Sequence, residues 1–203
     1  MMPNPWRRLL SSGFLGIVFI AAVISVRVPP VSAGLPQAAG TATATGGDPT
    51  LVDLDGYKDV VAKYHGKPVL VTFWATWCEP CRAEFPMIVE LAKQYSSQGL
   101  VVVGVSLDDD SDMNLVRHFL AQTHPGFPNY RQKPGINVDA FYQGVNPEWR
   151  GTMPHALFYA RDGHVARFFV GEHNREAFEN AIRLILASTS ASNRTESPVR
   201  AGQ

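Results

Sequence analysis

The stretch VLVTFWATWCEPCRAEFP, residues 69–86, joins a β-strand pattern to the only two cysteines of this 203-residue chain. Residues 69–74 form a continuous apolar and β-branched run, which is typical of a strand covered on both faces. Cys78 and Cys81 follow at Cys-x-x-Cys spacing, and a helical pattern begins at Glu84. A cysteine pair of this spacing beside a βαβ pattern indicates redox chemistry.

Cys78 lies where the predicted strand passes into the predicted helix. Free backbone N–H groups and the positive end of the helix dipole stabilise a thiolate at such a junction. A stabilised thiolate is both an available nucleophile and a good leaving group. Cys81, one turn further along, is expected to lie beneath Cys78 and to resolve a mixed disulfide formed there. Pro80 is tolerated in the first helical turn.

A purely structural disulfide and a metal site are the alternatives for this pair. A cross-link stabilises more when it closes a longer loop, and this loop is nearly the shortest possible. No two histidines stand at typical ligand spacing. The six histidines are His65, His118, His124, His155, His164 and His173.

Outward from this stretch, the apolar patterns predict alternating helices and strands. Helices are expected over 53–64, 84–95 and 112–122 and after a capping Asn174, and strands over 69–74 and 100–107 and in a hairpin of 155–159 and 165–170. A parallel βαβ unit followed by an antiparallel hairpin predicts an α/β fold. Its central mixed β-sheet is flanked by helices.

The two ends of the chain differ in composition from the middle. Residues 1–33 hold three arginines, no acid and an apolar run over 9–26, a pattern that predicts a signal peptide or an N-terminal membrane anchor. The basic flank orients the remainder outside the cytoplasmic membrane. The other predicted segments are a flexible linker over 34–50, one domain over 51–187 and a disordered tail over 188–203.

Charge and cysteine counts exclude several classes of protein. The chain carries 18 basic and 18 acidic residues, and beyond residue 33 the balance becomes 15 to 18. Such a chain has no excess of positive charge with which to bind the phosphates of a nucleic acid, so a nucleic-acid partner is not expected. Two cysteines form neither a disulfide-dense scaffold nor a four-thiolate zinc site.

The segment FWATWCEPCRAEFP, residues 73–86, resembles the active-site segment of the TlpA/ResA-type thioredoxin-like proteins, which are extracytoplasmic thiol:disulfide oxidoreductases. VVGVSLD, residues 102–108, is similar to the second strand of that family. Thr152-Met153-Pro154, followed by a strand and an Arg-Asp-Gly turn, is similar to its cis-proline and hairpin. The resemblance covers most of 51–187 and implies a three-layer thioredoxin-like fold with Pro154 cis and facing the cysteines.

The resemblance implies a role for each residue of the redox centre. Cys78 is the nucleophile, Cys81 is the resolving thiol, and the two form the redox disulfide. Glu84 matches an acidic residue that influences the proton transfers of the thiols, and the i, i+3 spacing places it on the same helix face as Cys81. The alternative for Glu84 is an ordinary solvated helix charge.

The resemblance also implies a client-binding surface. It includes Trp77 beside the nucleophile, Glu79 and Pro80 between the cysteines, and Met153, against which an extended client backbone lies beside Pro154. Glu79 is expected to tune the reduction potential, although an acid at a helix start is favoured by the dipole in any case. No cofactor and no metal are implied.

Two departures limit the transfer from the family. Thr72 stands where thioredoxin carries a buried Asp, which leaves Glu84 as the candidate proton-transfer group. Residues 123–153 are longer and more irregular than a minimal thioredoxin requires, and we interpret them as an insertion near the rim of the active site. A short helix is expected over 138–143, and Trp149 is expected to be either a packed loop aromatic or a substrate contact.

The resulting prediction is an oxidoreductase that reduces disulfides of client proteins outside the cytoplasmic membrane. Its partners are disulfide-containing clients, with apocytochrome c as the family-level example, and a membrane thiol electron donor; residues 9–26 provide possible membrane association. Two alternatives stay open. One is a copper-handling thioredoxin-fold protein that uses Cys78, Cys81 and either His155 or His164. The other is a non-enzymatic binding module.

Overall fold

A computed structural model describes residues 47–188. The strands are β1 (Thr50–Val52), β2 (Val69–Trp74), β3 (Val101–Ser106), β4 (Asn129–Gln132), β5 (His155–Tyr159) and β6 (Val165–Val170), and the helices are α1 (Leu54–Ala62), α2 (Glu79–Tyr95), α3 (Met113–Thr123), α4 (Val138–Val145) and α5 (Arg175–Ala187). The predicted export segment, most of the predicted linker and the tail beyond residue 188 lie outside the described residues.

The six strands form one mixed sheet in the order β1-β4-β3-β2-β5-β6. The first four strands of that order pair in parallel, whereas β5 pairs antiparallel with both β2 and β6. The carboxyl ends of β2 and β3 therefore meet at one edge of the sheet. The amino end of β5 reaches the same edge, since His155 pairs with Phe73.

Helices cover both faces of this sheet, as neighbouring residues of β2 show. All six residues of β2 are buried, and successive side chains of a strand point to opposite faces. Phe73 packs on α1 and α4 through Tyr57 and Phe141, with ring centroids 5.5 and 6.3 Å away. Trp74 packs on α2 through Phe85, 5.1 Å away. The predicted three-layer α/β fold is confirmed.

The predicted bounds of β2, β5 and β6 are confirmed, but the sequence analysis missed two strands. β1 has three residues and β4 has four, and both lie on the side of the sheet beyond β3. β4 reads NYRQ and has no apolar pattern, and β1 reads TLV, which is too short to show a period. Thr50, at the end of the predicted linker, opens β1.

The start predicted for the helix after the cysteines is wrong. α2 begins at Glu79 rather than Glu84, because Cys78 caps it: the Cys78 sulfur accepts a hydrogen bond from the Cys81 N–H at 3.3 Å. Pro80 fits the first turn, where its missing N–H has no helical partner. The apolar periodicity used for the prediction begins only after this polar first turn. The cap predicted at Asn174 is confirmed by its bond from the Ala177 N–H at 3.0 Å.

The helices between residues 47 and 188 include none that is both long and apolar enough to cross a membrane.

Candidate active site

The cysteine pair lies at the junction of β2 and α2, at the carboxyl edge of the sheet. Cys78 and Cys81 are joined by a disulfide with their Cα atoms 5.3 Å apart. Both residues are largely buried, Cys78 at 5% and Cys81 at 2% exposed. Little of the disulfide therefore faces solvent, and it lies at the first turn of α2.

Exposed side chains border this buried pair. Trp77, directly before Cys78, is 60% exposed, so most of its ring faces solvent rather than the core. Glu79 is exposed in the first turn of α2, and Pro80 is half-buried. An apolar ring on the surface next to a disulfide is the kind of group that can contact another protein.

The Met153–Pro154 peptide bond is cis, in agreement with the resemblance. Pro154 is buried, and its carbonyl accepts a hydrogen bond from the Gly171 N–H at 2.9 Å. Met153 is half-buried. Because β5 begins directly after Pro154 and pairs His155 with Phe73, this dipeptide lies at the same end of β2 as the cysteine turn.

Glu84 is buried on α2, only 8% exposed, so the alternative of a solvated helix charge is wrong. Its Oε2 accepts a hydrogen bond from the His173 N–H at 3.2 Å. Burial raises the pKa of Glu84 to about 7, although the bond from His173 opposes this shift, and the nearby charge of Glu172 adds to it. Glu84 therefore changes protonation near neutral pH.

A buried polar network that the sequence did not predict lies next to the cysteine turn. Asp108 follows β3, and its carboxylate accepts hydrogen bonds from the Thr76 N–H at 2.9 and 3.1 Å, from the Thr76 hydroxyl and from the Ser106 hydroxyl at 2.6 Å. Arg131 of β4 donates to the Asp108 carbonyl at 3.1 Å and pairs with Asp110 at 2.5 Å. An acid directly after a buried strand was the available signal.

The insertion packs against the start of β5. Trp149 is fully buried and stacks on His155, with ring centroids 4.4 Å apart and planes 13° apart. Its Nε1–H donates to the Thr152 carbonyl at 2.9 Å. The prediction of a packed loop aromatic is confirmed, and the alternative of a substrate contact is wrong. Burial lowers the pKa of His155 to about 4, so this ring is neutral at neutral pH.

The histidines proposed for a copper site do not assemble with the cysteines. His164 follows Tyr159, whose backbone pairs with that of Val69 at the end of β2 remote from Cys78. The His164 ring contacts the Asp162 carboxylate at 2.5 Å. His155 is enclosed between Trp149 and its neighbours. Across residues 47–188, no group of three His, Cys, Asp or Glu side chains is placed to hold a metal ion.

Comparisons with known proteins agree on one family. The model of the AhpC/TSA family matches residues 42–168. The thiol-disulfide oxidoreductase ResA of Bacillus thuringiensis is 31% identical over 135 residues, which cover 66% of this chain and 73% of that protein. ResA of Geobacillus kaustophilus is 30% identical over 148 residues, covering 71% and 80%. The crystal structure of a thioredoxin-family thiol:disulfide interchange protein from Chlorobium tepidum superposes with a TM-score of 0.54 and 25% identity, covering 62% of this chain and 83% of that one.

Proposed function

This chain belongs to the AhpC/TSA family and is a thiol:disulfide oxidoreductase. From this premise we propose that it reduces the disulfides of client proteins outside the cytoplasmic membrane. The observation that carries the proposal is the Cys78–Cys81 disulfide at the start of α2, bordered by the exposed ring of Trp77. Because its cysteines are only three residues apart, this disulfide stabilises the fold little. Its position at the N-terminus of a helix favours a thiolate and therefore thiol–disulfide exchange.

In the proposed reaction the reduced enzyme supplies two electrons. The Cys78 thiolate attacks one sulfur of a client disulfide, the client S–S bond breaks, and the departing client thiolate takes up a proton. Cys81 then loses its proton and attacks the Cys78 sulfur of the mixed disulfide. The second client thiolate leaves, and the Cys78–Cys81 disulfide forms. The client ends as a dithiol and the enzyme as a disulfide.

Glu84 is the proposed acceptor of the Cys81 proton. It lies one helical turn after Cys81 on α2, where residues three apart share a face. Burial has raised its pKa to about 7, which matches the operating range of a general base at neutral pH. The Thr72 side chain, at the position of thioredoxin's buried Asp, has no carboxylate with which to share this task.

Client binding is proposed at the rim formed by Trp77, Glu79 and Pro80 on one side and by Met153 and Pro154 on the other. The proposal that an extended client strand lies against Met153 is supported by β5, which begins two residues later and pairs His155 with Phe73 at the end of β2 that leads into the cysteine turn. Trp77, 60% exposed, offers an apolar face to such a client.

The location and the electron source are also proposals. Arg7, Arg8 and the apolar run over 9–26 support export or anchoring, which places the enzyme where client disulfides form. An enzyme that reduces clients must itself be re-reduced, and a membrane thiol carrier is the donor that this location requires. Apocytochrome c is the client that the family resemblance suggests.

Insulin reduction tests the activity, and equilibration with glutathione tests its direction. The reduced enzyme should accelerate insulin precipitation in the presence of dithiothreitol, and Cys78→Ser should abolish the acceleration while keeping the circular dichroism of the wild type. A wild-type enzyme that folds but does not accelerate insulin reduction would assign the chain to the binding modules. A reduction potential close to that of a strong oxidant, about −120 mV, would overturn the reductase direction.

A further inference from the structure

The turn that leads into Cys78 is hydrogen-bonded to a single carboxylate, that of Asp108. Residues 75–78 turn sharply, with the Cys78 N–H donating to the Ala75 carbonyl at 3.2 Å. Thr76, inside that turn, gives both its N–H and its hydroxyl to Asp108. The side chain two residues before the nucleophile is therefore tied to the end of β3.

Asp108 is built into the fold as an acceptor of hydrogen bonds. It is 2% exposed; its Oδ1 accepts from the N–H and the hydroxyl of Thr76, and its Oδ2 accepts from the Thr76 N–H and from the hydroxyl of the fully buried Ser106. The backbone N–H can only donate and both hydroxyls can donate, a set of partners that suits a negatively charged carboxylate. The ion pairs of residues 47–188 include no cation on this carboxylate.

The cation beside Asp108 is bonded to other acceptors than its carboxylate. The Arg131 guanidinium donates to the backbone carbonyl of Asp108 and pairs with the carboxylate of Asp110. Asp109, between the two acids, is exposed to solvent. Water screens Asp109 strongly and Asp108 weakly, since Asp108 is buried.

A buried negative charge at this place acts on the reaction of Cys78. The start of α2 stabilises a thiolate at Cys78, whereas a buried anion hydrogen-bonded to Thr76, two residues before Cys78, opposes that thiolate. A less stable thiolate makes the reduced enzyme less stable relative to the disulfide, which lowers the reduction potential. An asparagine at this position, which has the same shape but no charge, would still bond to Thr76 but would not lower the reduction potential.

We propose that Asp108 is a positioning residue of the exchange reaction: it fixes the turn that carries Cys78 and, through its buried charge, makes the cysteine pair a stronger reductant. This inference rests on the proposed function and names a residue that tunes the reduction potential of the cysteine pair. Asp108 acts through Cys78 and contacts neither the client nor the sulfur atoms.

The test compares Asp108→Asn with Asp109→Asn, which removes the same charge from the exposed neighbouring residue. Purified full-length variants are equilibrated with reduced and oxidised glutathione, and the fraction of dithiol is measured by thiol alkylation and mass spectrometry. Asp108→Asn should shift the equilibrium about tenfold toward the dithiol, equivalent to about 30 mV. Asp109→Asn should shift it less than about twofold. Ser106→Ala, which keeps the charge, should follow the wild type.

Each other outcome separates the two claims. If the wild type exchanges with glutathione and Asp108→Asn behaves as Asp109→Asn does, the inference on Asp108 is overturned and the proposed function stands. If the wild type does not exchange at all, the proposed function fails whatever the variants show. If Asp108→Asn and the smaller Asp108→Ser are both unfolded in both redox states, the carboxylate serves the fold alone, which also overturns the inference.

Discussion

Glu84 and His155 are both buried, and burial shifts the pKa of each in an opposite direction. On α2, the helix flank, burial raises the pKa of Glu84 to about 7. At the start of β5, the strand flank, burial lowers the pKa of His155 to about 4. The physical cause is the same, since desolvation disfavours the charged form of either group. The consequences are opposite, because one group is an acid and the other a base.

The contacts of the two side chains explain what each flank does. Glu84 has a backbone donor in His173 and titrates where the enzyme is proposed to work. His155 stacks on Trp149 and stays neutral throughout that range. The helix flank therefore holds the group that can move a proton, and the strand flank holds the Met153–Pro154 loop in place.

The largest expected effect comes from breaking the strand flank at Trp149. Trp149→Ala should lower the free energy of unfolding by about 3 to 5 kcal/mol, because a fully buried aromatic side chain is replaced by a cavity and the hydrogen bond to the Thr152 carbonyl is lost. Urea denaturation measures the loss.

Trp77→Ala is the matched control for Trp149→Ala. It removes the same side chain from an exposed position and should change stability by less than about 0.5 kcal/mol while slowing insulin reduction. Equal destabilisation by the two substitutions would contradict the assignment of one tryptophan to the fold and the other to the client surface.

A smaller effect is expected from removing the buried base. The pKa of His155 lies near 4 in the folded protein, against an ordinary value of 6.5. Below pH 6.5 the unfolded chain therefore takes up a proton that the folded protein does not, so the stability present above pH 6.5 is lost as the pH falls toward 4. The stability of His155→Phe relative to the wild type should therefore improve by about 2 kcal/mol between pH 7 and pH 5.

The surface histidine His118 provides the control for this measurement. His118→Gln should follow the pH dependence of the wild type within about 0.5 kcal/mol. A His155→Phe variant whose difference from the wild type is the same at pH 5 and pH 7 would show that the buried ring does not resist protonation.

The smallest effect is expected on the helix flank and has the opposite sign. The pKa of Glu84 is raised from 4.5 to about 7, so its burial does not destabilise the protein below pH 4.5, and the destabilisation grows as the pH rises toward 7. Glu84→Gln should be more stable than the wild type by about 1 to 2 kcal/mol at pH 5.5 and equal to it at pH 4.

The same variant separates a role in proton transfer from a role in packing. Glu84→Gln should also lose the inflection near pH 7 in the rate of insulin reduction, whereas Glu79→Gln, on the exposed first turn of the same helix, should keep it. An inflection that persists in Glu84→Gln would assign the proton transfer to another group.

Much of the core could be predicted because its determinants are local. The run over 69–74 is buried along its whole length, so its apolar pattern survives in the sequence, and the hairpin of β5 and β6 is marked by its Asp-Gly turn. β4 could not be predicted, since a short strand of four polar or aromatic residues is fixed by pairing with β3 and β1 and not by its own composition.

The candidate site divides in the same way. The spacing of Cys78 and Cys81 is visible in the sequence, as is the position of Glu84 on their helix. The tie between Thr76 and Asp108 is not, because it joins residues 32 positions apart and depends on the parallel pairing of β2 with β3. The burial that shifts the pKa of His155 likewise depends on Trp149, which the insertion brings to it.

The central claim is that Cys78 attacks and Cys81 resolves, and trapping the mixed disulfide tests it most directly. Reduced Cys81→Ser and reduced Cys78→Ser are mixed with a disulfide-bonded client such as insulin, quenched with acid and analysed by mass spectrometry. We predict a stable adduct on Cys78 in Cys81→Ser and, at the same time point, little or none on Cys81 in Cys78→Ser. An adduct that forms on Cys81 as fast as on Cys78, or on neither, would contradict the claim.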